Sequence, residues 1–130
     1  MRLTLSYAPL EITFDDLRLD TKSRIPQGIQ DFPKPIKNLH NKNVHLKGYI
    51  LPASVFKEKG NRQFILCRDN QEPPESVTDD EFVVVRMVGD TSADFVTRPV
   101  AITGRFKVLD PPLVGPGRTL FYEIAAEECL

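Results

Sequence analysis

The sequence predicts an all-β fold: a small five-stranded barrel preceded by an extended arm, with at most short helices. Five segments between Asn43 and Glu127 alternate apolar and polar residues with period two and are rich in β-branched and aromatic side chains. No stretch of about 12 residues or more carries a sustained 3.6-residue apolar period. Two of the five segments also share an interior glycine. Such a glycine weakens a strand but permits the bulge or tight bend that a small closed sheet requires. A sandwich usually needs about seven strands, so the pattern fits an OB-like barrel better.

The elements follow in order. "EITFDDL" alternates like a strand up to Phe14, and Asp15 and Asp16 then suit a short helical turn, where a carboxylate accepts from free amides. "IPQGIQDFPKP", Ile25 to Pro35, holds three prolines and little periodicity. Each proline fixes φ and removes a donor, so residues 1–38 are expected to form an extended arm lying on a barrel made by residues 39–130. The first barrel strand, "NVHLKGYIL" (43–51), puts Val44, Leu46, Gly48 and Ile50 on one face. "QFILCR" (63–68) and "EFVVVRMV" (81–88) follow. "RPVAITGRFKV" (98–108) aligns Val100, Ile102, Gly104 and Phe106, and "TLFYEIAAE" (119–127) is the last.

The 130 residues fit one domain, with 11 prolines and 7 glycines punctuating short strands. Lys and Arg total 17 against 18 Asp and Glu, so whole-chain charge gives no drive toward nucleic acid or anionic membrane. No apolar run approaches the roughly 20 residues of a membrane-spanning helix, and "MRLTLSYAPLEI" lacks a signal-peptide core, so the chain as given is expected to be soluble. Cys67 and Cys129 are the two cysteines; neither has zinc-site spacing, and two free thiols are expected rather than one disulfide.

Candidate sites are few. Arg68-Asp69-Asn70-Gln71 leaves a strand end, where Asp and Asn build turns on their own backbone. The same four residues with Tyr49 form the candidate ligand-binding corner at the mouth of the barrel. His40 and His45 read as surface residues, not metal ligands, and no metal site or cofactor is expected. Glu75, Asp79, Asp80 and Glu81 read as a solvated loop.

Charge distribution stands out. Residues 34–68 carry six lysines and two arginines against Glu58 alone, a local net of +7, and residues 69–81 carry six acids and no base. Lys42, Lys47, Lys57, Lys59, Arg62 and Arg68 thus make a candidate single-strand nucleic-acid face, with Tyr49, Phe56 and Phe121 as stacking candidates. A zwitterionic surface that orients a protein partner explains the pattern as well.

Residues 46–72, "LKGYILPASVFKEKGNRQFILCRDNQE", resemble a bacterial, planctomycete-rich family of domains of unknown function. The "ITFDDL" opening (12–17) and "ADFVTRPVAITGRF" (93–106) extend the likeness over most of residues 12–126. The resemblance implies an exported or envelope-anchored setting and no assigned chemistry. Relatives follow the Gln-Glu with a vicinal cysteine pair; here Pro73, Pro74, Glu75 and Ser76 stand there. Vicinal thiols can bind soft metals or undergo redox exchange and prolines cannot, so that chemistry is expected to be lost. The expected function is a non-enzymatic binding or scaffold domain that contacts a protein or small ligand. Single-stranded nucleic-acid binding is the alternative.

Overall fold

A computed structural model describes residues 8–19, 25–55, 57–69, 78–115 and 118–130. The chain is mostly β, with one sheet of six strands and a few short helical turns. The strands are β1 (Leu10–Ile12), β2 (Asn43–Ile50), β3 (Gln63–Cys67), β4 (Phe82–Met87), β5 (Val100–Gly115) and β6 (Arg118–Cys129).

Five of these match the segments expected from periodicity. The sixth, β1, corrects the expected strand count. It runs parallel to β2, pairing Leu10 with Val44 and Ile12 with Leu46. β3 takes over the same edge of β2 only at Tyr49 and Ile50, so the short strand fills an edge that would otherwise stand open.

The pairings run in a closed circuit. β2, β3 and β4 are successively antiparallel, β4 and β6 are parallel, and β6 and β5 are antiparallel. β5 then returns to β2, with Asn43 opposite Arg105 and Gly48 opposite Val100. Inward residues of every strand meet in one core: Val44, Leu46, Phe64, Leu66, Val85, Ile102, Phe106 and Ile124 are all buried.

The two expected bend glycines serve different purposes. Gly104 sits at a register shift against β6, and a Cβ there would lie 2.2 Å from the Ala125 carbonyl oxygen. Gly48 lies in regular pairing, but a Cβ would come within 2.8 Å of both the Cys67 carbonyl oxygen and the Leu66 side chain. The first marks a bulge, and the second leaves room for the close approach of the end of β3 to β2.

β5 also outruns its expected end at Val108, passing through Pro111 and Pro112 to Gly115. Its register against β6 shifts between Val108 and Leu113, so the prolines occupy an irregular stretch where the ladder asks for no amide donor.

The expected arm is less peripheral than its proline content suggests. Its extended course is broken by a 3-10 turn at Phe14–Leu17, another at Ile29–Asp31 and a one-turn helix, α1, at Lys34–Lys37. Asp16 accepts from the Thr13 amide at 2.8 Å, as a carboxylate at a helix start should. Phe14, Leu17, Phe32 and Ile36 are buried in the same core as the strands. Tyr122 fastens the arm: its hydroxyl donates to the Leu17 carbonyl at 2.7 Å, and its ring centroid lies 5.9 Å from that of Phe32. Among the described residues no helix is long and apolar enough to cross a membrane.

Candidate functional site: a charged corner at the end of β3

The corner expected at Arg68 is assembled from three segments. β3 ends at Cys67, and the Arg68 amide still reaches the Glu81 carbonyl at 3.2 Å, so the strand pair stays closed as the side chain turns outward. Glu81 ends the turn Asp79–Glu81, and Asp15 and Arg18 arrive from the arm. Arg68 contacts Glu81 Oε1 at 3.2 Å and Asp15 Oδ1 at 3.8 Å. Arg18 contacts the same two acids, at 3.4 Å from Asp15 Oδ1 and 4.0 Å from Glu81 Oε1. Two cations and two anions alternate around a four-membered ring.

Beside them lies an open depression of about 380 Å³ lined by Tyr49, Arg68, Asp69 and Glu81. Three of the five expected residues, Tyr49, Arg68 and Asp69, are therefore brought together. Asn70 and Gln71 lie outside the described residues. The four ring charges cancel among themselves, and exposed ion pairs of this kind each contribute about 0–1 kcal/mol. The geometry makes Arg68 a clamp between the arm and the β3–β4 turn.

Neither nearby ionisable group is set up as a reagent. Cys67 Sγ donates to the Tyr49 carbonyl at 3.3 Å, and burial, helped by the charge of Asp69, pushes its pKa up to about 11. Burial and then Asp80 also drive the Tyr122 phenol upward, so it stays a neutral donor. Both cysteines are free thiols, and Cys129 is likewise shifted up by burial.

The acids read from sequence as a solvated loop are mostly structural, which corrects that expectation. Asp79 accepts from the Thr119 amide at 3.2 Å. Asp80 is buried and takes the Leu19 amide at 2.7 Å. Glu81 belongs to the ring, and Glu75 lies outside the described residues. The histidines are half-buried and bonded: the Val108 amide donates to His40 Nδ1 at 3.0 Å, and His45 Nδ1 lies 2.9 Å from Thr103 Oγ1. Among the described residues no cluster of His, Cys, Asp and Glu could hold a metal ion.

The six basic residues are exposed but occupy separate settings. Lys57, Lys59 and Arg62 surround the turn at Gly60, whose amide donates to Asp94 at 3.1 Å. Lys47 stands alone on the outer side of β2, and Lys42 and Arg68 line different depressions. Of the stacking candidates, Phe121 is buried with its ring 5.8 Å from Phe32, so it belongs to the core, and Phe56 lies outside the described residues. Sequence reasoning missed Arg118, whose guanidinium sits 3.7 Å above the Phe82 ring. Nothing local signals that contact, because the two residues belong to strands that are distant in sequence.

No protein-family model and no curated protein matches the chain. Among solved structures, the crystal structure of a DUF3299 family protein from Pseudomonas aeruginosa PAO1 is similar over 94% of this chain and 95% of that one. The two share a fold. Their TM-score is 0.63 at 19% sequence identity, a level at which the likeness reaches the architecture and not the activity.

Proposed function

We propose that the chain is a non-enzymatic binding or scaffold module built on an OB-like barrel, with a protein partner seated on the hairpin formed by β5 and β6. The closed circuit of five strands, antiparallel except between β4 and β6, supports the barrel reading. Its likeness to the bacterial, planctomycete-rich family supports an envelope setting.

The hairpin carries the proposal. The register of β2 against β5 ends at Arg105, with backbone hydrogen bonds from Asn41 and Lys42 continuing to Phe106, and that of β4 against β6 begins at Glu123. Beyond buried Val108 on β5 and before buried Phe121 on β6 the two strands outrun the other strands. Near the tip Leu113 is 51% exposed and Val114 83% exposed, side by side in sequence. Single exposed apolar residues are ordinary, but an adjacent pair on a two-stranded extension suits burial against a partner.

Single-stranded nucleic acid is the competing outcome. OB domains commonly take strands on the outer face of the second and third barrel strands, here β3 and β4. Cys67, Phe82 and Val84 point away from the core cluster on that face yet are buried, and Arg118 covers Phe82. Those three positions are closed to stacking.

A photo-crosslinker placed at Val114 is expected to give a discrete protein adduct in extracts of the native cell. Competition by unlabelled wild type, but not by the Leu113→Ser/Val114→Ser variant, marks the adduct as specific. Anisotropy with labelled oligonucleotides is expected to stay flat at 50 mM salt. Binding that weakens steeply as salt rises, or turnover in a broad hydrolase screen, overturns the reading.

A further inference from the structure

At the opposite end of β2 from the charged corner lies a trough of about 580 Å³, lined by residues of four strands and of the segments leading into β1 and β2. Leu10 of β1 lines one part of it and is 49% exposed. Lys42 and Asn43 enter from the start of β2, and Arg105 stands directly opposite Asn43 on β5. Glu127 of β6 closes the far rim. Arg105 is an outward position between buried Gly104 and Phe106, and Asn43 and Glu127 each adjoin a buried residue, Val44 and Ala126, so the pleat turns these three away from the core; Leu10, on the same side of β1 as buried Ile12, reaches the trough from the end of its strand.

Charge decides what such a trough can hold. Among the described residues neither Lys42 nor Arg105 has an ion-pair partner, unlike Arg18, Arg68 and Arg86. Glu127, though it shares the trough, is not within salt-bridge distance of either cation. A guanidinium offers a planar fork that suits a carboxylate, a lysine adds a point charge, and the amides of Asn41 and Asn43 supply further donors at the same place. Leu10 and Ala8 offer apolar surface alongside. The volume lies within the roughly 300–1,000 Å³ typical of small-molecule sites.

We propose that this trough binds a small monoanionic amphiphile, with its carboxylate at Lys42 and Arg105 and a short apolar tail along Leu10. Glu127 sets the charge limit: a second negative charge on the ligand would meet it, so a monocarboxylate is favoured over a dianion. This names a ligand class for the binding module and rests on that reading only in treating the domain as a binder, since the hairpin tip at Leu113 and Val114 takes no part.

The test is a titration of ¹⁵N-labelled protein with octanoate, 1-octanol and inorganic phosphate, followed by amide chemical shifts. Octanoate is expected to give saturable shifts at Leu10, Asn43, Arg105 and Glu127, and to bind more weakly as salt rises from 20 to 200 mM, a range over which exposed charges become screened. Arg105→Gln should weaken octanoate about tenfold, and Lys42→Gln by a smaller factor, because one charge-assisted hydrogen bond is worth at least that much. Leu113→Ser/Val114→Ser should bind octanoate like wild type, so failure of the hairpin reading leaves this result untouched. The proposal is overturned if 1-octanol saturates the same amides as tightly, if phosphate displaces octanoate, or if Arg105→Gln binds unchanged.

Discussion

Cys67 ends β3 with its sulfur directed at the Tyr49 carbonyl, 3.3 Å away, and burial is the first cause of its upward shift. With a pKa of about 11, roughly one molecule in a thousand carries the thiolate at pH 8, and the thiolate is the species that reacts. Native protein at pH 8 should therefore be alkylated at Cys67 far more slowly by iodoacetamide than protein unfolded in guanidinium, as read by peptide mass spectrometry. Equal rates in the two states would show that the thiol is not shielded. The same shift has a consequence for stability. Folding favours the neutral thiol, so this contribution is complete below the ordinary thiol value of 9.0 and is lost as pH climbs through about 11. Arg68 illustrates the opposite lesson. Its position after a strand marks it as a candidate ligand-binding residue, yet Glu81 and Asp15 already hold its guanidinium. A partner 53 residues away along the chain leaves no local trace, whereas the turn chemistry of Asp and Asn does.

At the scale of elements, β5 and β6 are shaped by the glycine at their bulge. Gly104→Ala would drive a methyl group into the Ala125 carbonyl oxygen at 2.2 Å, and because its nearest atoms are all backbone of Ala125 and Ala126, nothing soft is there to yield. We expect a loss of about 3 kcal/mol, the upper end of ordinary overpacking, measured by urea unfolding. Gly48→Ala should cost less, because one of its two close neighbours is the Leu66 side chain, which can turn aside. A smaller penalty at Gly104 than at Gly48 would contradict the bulge. These strands show how much of the fold the sequence carries. Period-two alternation located β2, β3, β4, β5 and β6 to within a few residues, because one face of each is buried and the pattern must follow the pleat. It read strand-like alternation from Glu11 to Phe14 but assigned it to the arm, since the pairing of β1 with β2 is non-local and three residues give alternation little length. It also ended β5 early at the prolines, which a register shift accommodates. The trough escaped notice for a related reason: Leu10, Lys42, Arg105 and Glu127 are unremarkable exposed positions until the sheet brings them side by side.

The whole molecule depends on a contribution that composition conceals. Three prolines between Ile25 and Pro35 argue for a peripheral arm, and the backbone there does make only short turns. Yet Phe32 is buried between the rings of Phe121 and Tyr122, at centroid distances of 5.8 and 5.9 Å, and Ile36 joins the same cluster. Proline prevents ladder pairing but does not prevent a neighbouring aromatic from entering the core. The strands bury five aromatic rings of their own, Phe64, Phe82, Phe106, Phe121 and Tyr122, and the arm adds Phe14, Leu17, Phe32 and Ile36 to the interior of the circuit. Phe32→Ala should then behave as a core truncation and cost about 3–5 kcal/mol, a drop of ten degrees or more in Tm for a domain of this size. Tyr122→Phe keeps the ring and removes only the hydroxyl that donates to Leu17, so it should cost about 1–2 kcal/mol, since it leaves a buried carbonyl unpaired. Both variants should unfold in a single transition that coincides in far-UV and near-UV circular dichroism, because arm and strands share one core. If Phe32→Ala instead costs less than about 1 kcal/mol, or if an early transition separates the arm from the strands, the arm is a dispensable strap and the circuit is stable by itself.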